Sequence, residues 1–92
     1  MPPQAVDVEE AVLGAMMVNP DSVDAAMDIL NAKCFYDQRH KMIFEAVYEL
    51  YSERFPIDML TVVERLKQKG TLSEVGGPAK LAALTQTIGT GA

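Results

Sequence analysis

The sequence contains no tryptophan, one cysteine and one histidine among its 92 residues. A single cysteine, Cys34, excludes an internal disulfide, which is typical of proteins from a reducing cytoplasm. No apolar run approaches the roughly 20 residues that a membrane-spanning helix requires. The first residues carry neither the basic nor the apolar segment of a signal peptide. We therefore expect a cytoplasmic protein that forms one globular helical domain over residues 1–92.

Positive charge is missing from the first third of the chain. Residues 1–32 contain no lysine or arginine but hold six acidic residues: Asp7, Glu9, Glu10, Asp21, Asp24 and Asp28. All eight basic side chains follow later, and the net charge of the chain is −5. Binding to a nucleic-acid backbone requires clustered positive charge. The composition therefore argues against direct DNA binding and favours binding to other proteins.

No segment shows the alternation of β-branched and polar residues that predicts a β-strand. Apolar residues instead recur three and four positions apart, which is typical of helices that bury one face. We predict an all-α fold, a compact orthogonal bundle of about five to six short helices around a central helix. The main helices are expected over residues 7–18, 20–30, 38–51, 59–69 and 78–88.

Helix boundaries are marked by residues with a known capping role. The side chains of Asp37 and Asp58 can accept hydrogen bonds from the free N–H groups of a first helical turn. Asn19 followed by Pro20 is a typical cap and first helical residue. Gly70 fits the left-handed position just after a helix ends.

The start of the first helix is predicted from Asp7 and Glu10, whose spacing is that of a variant capping box. Pro2 and Pro3 would then form an extended leader. Glu9 and Glu10 would lie in the first turn, where the helix dipole stabilises negative charge.

The central helix is predicted to bury two neighbouring faces, so that other helices pack on two of its sides. The first face consists of Ile43, Val47 and Leu50, and the second of Phe44, Tyr48 and Tyr51. In the last helix, the residues expected to point inward are Leu81, Leu84 and Ile88, followed by a frayed end from Gly89 to Ala92.

Motifs for catalysis or cofactor binding are not found: the sequence has no nucleophile elbow, phosphate loop or dinucleotide-binding glycine pattern. Cys34 and His40 are the only soft metal ligands, whereas a structural zinc site almost always takes four ligands. A nucleophilic Cys–His pair would be an alternative. We expect instead a buried thiol and a hydrogen-bonded imidazole at a helix start, and no catalytic, cofactor-binding or metal-binding residue.

Three glutamates, Glu45, Glu49 and Glu53, are spaced four residues apart on the central helix, and we call them the acidic stripe. Like charges at this spacing destabilise a helix by about 0.2–0.5 kcal/mol per pair. The stripe is interpreted either as an ordinary solvated face or as a candidate docking site for a basic partner.

Several segments together resemble the N-terminal domain of bacterial replicative DNA helicases of the DnaB type. The resemblance covers nearly the whole chain, although Lys80 stands where that family usually has tyrosine. The matching residues are Pro2–Pro3, Glu9–Glu10–Ala11–Val12–Leu13–Gly14, Phe35–Tyr36, His40, Ile43–Phe44, Pro56–Ile57–Asp58, Thr61–Val62, Leu66, Gly70, Leu72, Gly76–Gly77, Leu81 and Leu84–Thr85.

This resemblance implies an all-α head that belongs to an N-terminal collar on a hexameric ring. It implies primase and other helicase subunits as partners, the subunits meeting as collar dimers. ATP and Mg²⁺ would be bound by a separate motor domain, so that residues 1–92 are non-catalytic although the full-length protein would be an ATP-dependent DNA helicase. The alternative hypothesis is a free-standing acidic helical adaptor that binds a basic protein partner.

Overall fold

Helices are the only regular elements in the part of the chain that the structure describes, a computed structural model covering residues 3–89 with side chains for residues 6–86. No strand occurs within these bounds, which confirms the all-α prediction. Five α-helices are joined by short connections, with a short 3-10 turn, Ala32–Cys34, before the third. The helices are α1 Pro3–Val18, α2 Pro20–Ile29, α3 Gln38–Ser52, α4 Met59–Gln68 and α5 Gly77–Gly89.

Three helix starts are capped as predicted. The side chain of Asn19 accepts from the Asp21 N–H at 3.1 Å, with Pro20 as the first residue of α2. Asp37 caps α3 by accepting from the Arg39 N–H at 2.8 Å. At α4, Asp58 accepts from the Thr61 N–H while the Thr61 hydroxyl accepts from the Asp58 N–H, each at 2.9 Å. These side chains satisfy backbone donors that a helix leaves unpaired.

The predicted start of α1 is wrong. The helix begins at Pro3, so Asp7 lies inside it and forms no capping box with Glu10. Proline is tolerated in a first helical turn because its missing N–H is not needed there. Glu9 and Glu10 consequently lie in the second turn, away from the helix start. Pro2, the other half of the predicted leader, lies outside the described residues.

Among the described helices, α3 contributes the most buried residues to the core, and these six are His40, Ile43, Phe44, Ala46, Val47 and Leu50. It packs against α1, α4 and the 3-10 turn, and α1 packs in turn against α2 and α5. The first predicted face of α3 is therefore buried. On the second face Phe44 is buried and Tyr51 is partly buried, as predicted, but the prediction for Tyr48 is wrong, because its side chain is 54% exposed.

The predictions for α5 are confirmed where the side chains are described. Leu81 and Leu84 are buried against the core. The side chain of Ile88 and the predicted frayed residues 90–92 lie outside the described part, whereas Gly89 still belongs to α5. Within residues 3–89, no helix is long and apolar enough to cross a membrane.

Two helices end in the same hydrogen-bonded motif around a residue with positive φ. At α4, Gly70 has φ 74° as predicted, and the Thr71 N–H donates back to the Leu66 carbonyl at 3.0 Å. At α3 the equivalent residue is Arg54, with φ 64°, and the Phe55 N–H donates to Leu50 at 2.9 Å. A left-handed conformation costs a residue with a Cβ about 1–2 kcal/mol.

We therefore expect Arg54→Gly to raise the free energy of unfolding by about 0.5–1 kcal/mol, since glycine adopts positive φ without strain. Urea denaturation should show a higher midpoint with an unchanged slope. The control Ser52→Gly, placed in the last helical residue of α3, should lower stability by about 0.5–1 kcal/mol. Equal destabilisation by both glycines would contradict the assignment of strain to Arg54.

Candidate functional site

The carboxylate of Glu9 crosses from α1 to the start of α3. Its Oε2 accepts from the Tyr36 N–H at 2.5 Å, and its Oε1 lies 3.3 Å from the donating Asp37 nitrogen. The same Oε1 is 2.7 Å from Nδ1 of His40. Glu9 is 7% exposed and His40 is fully buried. The side chain of Glu9 in α1 thus accepts hydrogen bonds from backbone N–H groups at the start of α3.

Burial acts to raise the pKa of Glu9, but the hydrogen bonds from the Tyr36 N–H, the His40 ring and the Asp37 N–H outweigh it. The net effect is a pKa below the ordinary value of 4.5. Glu9 is therefore ionised at neutral pH, and Nδ1 of His40 carries the proton that it donates.

The other ring nitrogen of His40 faces a second glutamate of α1. Nε2 lies 3.8 Å from Oε2 of Glu10, and it is a buried atom with no hydrogen-bond partner among the described residues. The same Glu10 oxygen accepts from the Lys80 ammonium at 2.8 Å. We call Glu9, Glu10, His40 and Lys80 the interhelical cluster. The cluster joins α1, α3 and α5, and it gives Lys80 a specific ionic partner in Glu10.

The hydrogen-bonded imidazole expected at a helix start is confirmed, whereas the expected buried thiol is wrong. Cys34 is exposed because the 3-10 turn that carries it lies on the surface. Both ring nitrogens of His40 face the carboxylates of α1, and no described hydrogen bond of the ring involves Cys34. The cluster has the contacts of a structural ion-pair network. Within residues 6–86 no group of three or more metal-ligating side chains is positioned to hold a metal ion.

Two members of the acidic stripe bind basic side chains of α4. Arg65 donates to Glu49 at 3.1 Å and to Glu53 at 2.7 Å, and Lys69 donates to Glu49 at 2.5 Å. The hydrogen bond from Lys69 lowers the pKa of Glu49, and that from Arg65 lowers the pKa of Glu53. Glu45 is exposed and has no ion pair among the described residues. The docking role of the stripe remains a prediction. Glu45 is the one member of the stripe that forms no ion pair with a described residue.

The sequence contained signals for these contacts that our predictions did not use. Glu49 and Glu53 are four residues apart, and so are Arg65 and Lys69, so the two helices carry matching rows of opposite charge. Glu9 precedes Leu13 by four residues and therefore shares the apolar face of α1. A glutamate at such a position must have buried partners, because an isolated buried charge is costly.

Replacing Glu9 should destabilise the fold strongly. Glu9→Ala leaves two backbone donors and the imidazole without an acceptor, and we expect a loss of about 3–5 kcal/mol in the free energy of unfolding. Glu9→Gln keeps one oxygen acceptor and should lose about 1–3 kcal/mol. The control Glu45→Ala, at an exposed position, should change stability by less than about 0.5 kcal/mol. Urea unfolding measures all three, and a Glu9→Ala variant as stable as this control would refute the buried role.

Acid should remove a second electrostatic contribution. The Arg39 hydrogen bond lowers the pKa of Asp37 from 3.8 to about 2, so this carboxylate stabilises the folded state above pH 3.8. That stability is lost as the pH falls towards about 2. Asp37→Asn keeps a capping oxygen but should flatten the decline of stability over this window.

Arg39→Met removes the main cause of the shift and should flatten the same part of the pH curve. Thermal unfolding between pH 2 and pH 7 measures the stability of each variant as a function of pH. If the stability of both variants falls with pH as steeply as that of the wild type, other groups cause the acid sensitivity.

Known proteins resemble this chain in sequence and in fold. A family model described as DnaB-like helicase N terminal domain matches residues 1–92. The replicative DNA helicase DnaB of Rhodothermus marinus is 41% identical over 92 residues, which are 100% of this chain and 10% of that helicase. DnaB of Geobacillus stearothermophilus is 35% identical over 92 residues, again 100% of this chain but 20% of the relative.

Among solved structures, the crystal structure of the N-terminal domain of DnaB helicase from Mycobacterium tuberculosis is similar to this fold. The TM-score is 0.89 at 32% sequence identity, over 95% of this chain and 60% of the other. The chain thus spans a tenth to a fifth of the length of the two curated relatives. Since the family model matches all 92 residues and the similar fold covers 95% of the chain, the protein belongs to the DnaB-like helicase N-terminal domain family.

Proposed function

We propose that residues 1–92 act as the N-terminal assembly and protein-docking domain of a replicative hexameric DNA helicase. In this proposal the domain supports a collar of subunit dimers and docks primase during DNA replication. It performs no chemistry of its own. ATP and Mg²⁺ are bound by a motor domain outside residues 1–92.

The observation that carries this proposal is the match over the complete chain to proteins named replicative DNA helicase DnaB. The matching structure is described as the N-terminal domain of such a helicase. A similarity of this extent, in both sequence and fold, supports a shared role in the larger protein.

The described side chains favour binding over catalysis. The most buried ionisable groups, Glu9 and His40, bind each other and hold helices together. Large apolar side chains are nevertheless exposed, and such residues mark protein contacts when they cluster. They include Ile29, Tyr36, Tyr48, Phe55 and Leu60.

Deleting residues 1–92 from the full helicase tests the proposal. We expect the truncated protein to keep ATP hydrolysis but to bind primase at least about tenfold more weakly, since the docking surface is removed. Light scattering after size exclusion should show a weakened hexamer. Fluorescence anisotropy with labelled primase measures the affinity, and a Glu74→Lys variant of the intact helicase is the control for general effects of surface charge.

Unchanged primase binding and unchanged hexamer mass after the deletion would refute the proposal. The alternative, a free-standing acidic helical adaptor that binds a basic protein partner, predicts instead a full gene product without a downstream glycine-rich phosphate loop.

A further inference from the structure

A groove runs along one side of α3, bordered by the 3-10 turn and by α2. Its first hollow, of about 340 Å³, lies between the 3-10 turn and α3, with Ala32, Phe44, Glu45 and Tyr48 among its lining residues. Its second hollow, of about 510 Å³, lies between α2 and the end of α3, and Tyr48 lines both. We call the two hollows together the α2–α3 groove.

The groove offers aromatic surface to a partner. Tyr48 is 54% exposed and stands between the hollows, and Phe55, which lines the second, is 53% exposed. The hydroxyl of Tyr51 donates to Asp24 at 3.0 Å, which holds α2 beside α3 at this point. Exposed aromatic rings on a firmly held backbone are typical of residues that dominate binding energy.

The charge around the groove is mainly negative. Its α2 side carries Asp24 and Asp28, and α2 contains no lysine or arginine. Both aspartates lie close enough to raise the pKa of Tyr51, Asp24 chiefly through the hydrogen bond. On the α3 side, Glu45 lines the first hollow. Two cations are also present: Arg54 lines the second hollow, and Lys33 belongs to the 3-10 turn beside the first.

The other two members of the acidic stripe are paired, although Glu49 also lines the first hollow. Glu49 and Glu53 are bound by Arg65 of α4 and by Lys69 directly after α4, which neutralise them. Glu45 has no such partner among the described residues. The uncompensated negative charge of this side of the molecule is therefore concentrated next to the apolar hollows, where it can pair with incoming cations.

We propose that the α2–α3 groove docks a basic amphipathic helix of a partner protein. The α3 residues lining the two hollows are offset by about one helical turn, roughly 6 Å. This is the spacing of side chains at positions i and i+4 of a helix. Two such apolar side chains enter the hollows, while flanking lysine or arginine residues pair with Glu45 and with the aspartates of α2.

The inference rests on the proposed docking function and adds to it a location and the chemistry of the partner segment. A second copy of the chain is a poorer occupant, because its net charge of −5 and its acidic first third would face an acidic groove. A downstream segment of the same protein is a further occupant that the experiment distinguishes.

The probe is a fluorescein-labelled amphipathic peptide of about 15 residues, with leucines at i and i+4 and lysines on both flanks. A second peptide with the same composition in scrambled order has the same charge but no apolar face. Anisotropy titration with the 92-residue chain should show binding of the first peptide at least about tenfold tighter than the second. The amide NMR shifts that change should lie at residues 24–32 and 44–55.

Two pairs of variants separate the groove from general surface properties. Tyr48→Ala should weaken binding of the probe at least about tenfold, and its control Tyr36→Ala, at another exposed tyrosine, less than about twofold. Glu45→Lys should weaken it about fivefold or more, and its control Glu74→Lys less than about twofold. The effect of Glu45→Lys should shrink at high salt, because screening removes the pairing.

Equal binding of both peptides, shift changes outside residues 24–32 and 44–55, or equal effects of variant and control would overturn the inference. So would a concentration-dependent dimer that covers the groove, or protection of the groove by downstream residues in the full helicase.

Primase binding in the full helicase reports separately on the proposed function. If Tyr48→Ala and Glu45→Lys lower probe binding but not primase binding, the groove is confirmed and primase is not the partner that docks there. If primase binds and the probe does not, only the groove fails.

Discussion

A buried carboxylate determines how the first helix meets the rest of the molecule. Glu9 reaches from α1 to two backbone N–H groups and the imidazole before and within the first turn of α3. The imidazole is fully buried and the two N–H groups are partly buried, so without the carboxylate all three would lose their hydrogen-bond acceptor. The ionised carboxylate satisfies all three. Its own burial is tolerable only because these three donors surround it. Glu9 can therefore be buried only where its three donors are, and the donors are satisfied only while Glu9 is charged. The packing of α1 against α3 depends on both conditions.

The ionisable groups of the structure fall into two sets. One set holds helices together: Glu10 binds Lys80 between α1 and α5, and Arg65 binds Glu49 and Glu53 between α4 and α3. The other set, exemplified by Glu45 and Asp28, is exposed and without a described ion pair. Internal pairing thus neutralises Glu49 and Glu53, whereas Glu45 and Asp28 remain available on the surface of a scaffold that the first set holds together.

Local signals in the sequence were reliable where a few neighbouring residues determine the conformation. Asp58 and Gly70 act within one turn of their own helix, and both were predicted. The first helix was different, because Asp7 resembles a cap and nothing local shows that the helix continues back to Pro3. Burial was misjudged for Cys34 and Tyr48 for another reason. An apolar side chain at helical spacing is covered only if another element lies over it, and the arrangement of elements is not a local property.

The sequence by itself determined the helical class, three of the helix starts, the buried face of α3 with Ile43, Val47 and Leu50, and the inward position of Leu81 and Leu84 in α5. These follow from spacing and capping, in which each residue interacts with others no more than four positions away. The family was indicated separately, by residues that resemble its pattern over nearly the whole chain. Only the tertiary structure decided that Glu9 serves α3, that Arg65 and Lys69 take two of the three stripe glutamates, and that Tyr48 faces a groove. The atoms involved are 12 to 31 residues apart along the chain. Their meeting depends on how whole helices pack, which no local pattern encodes.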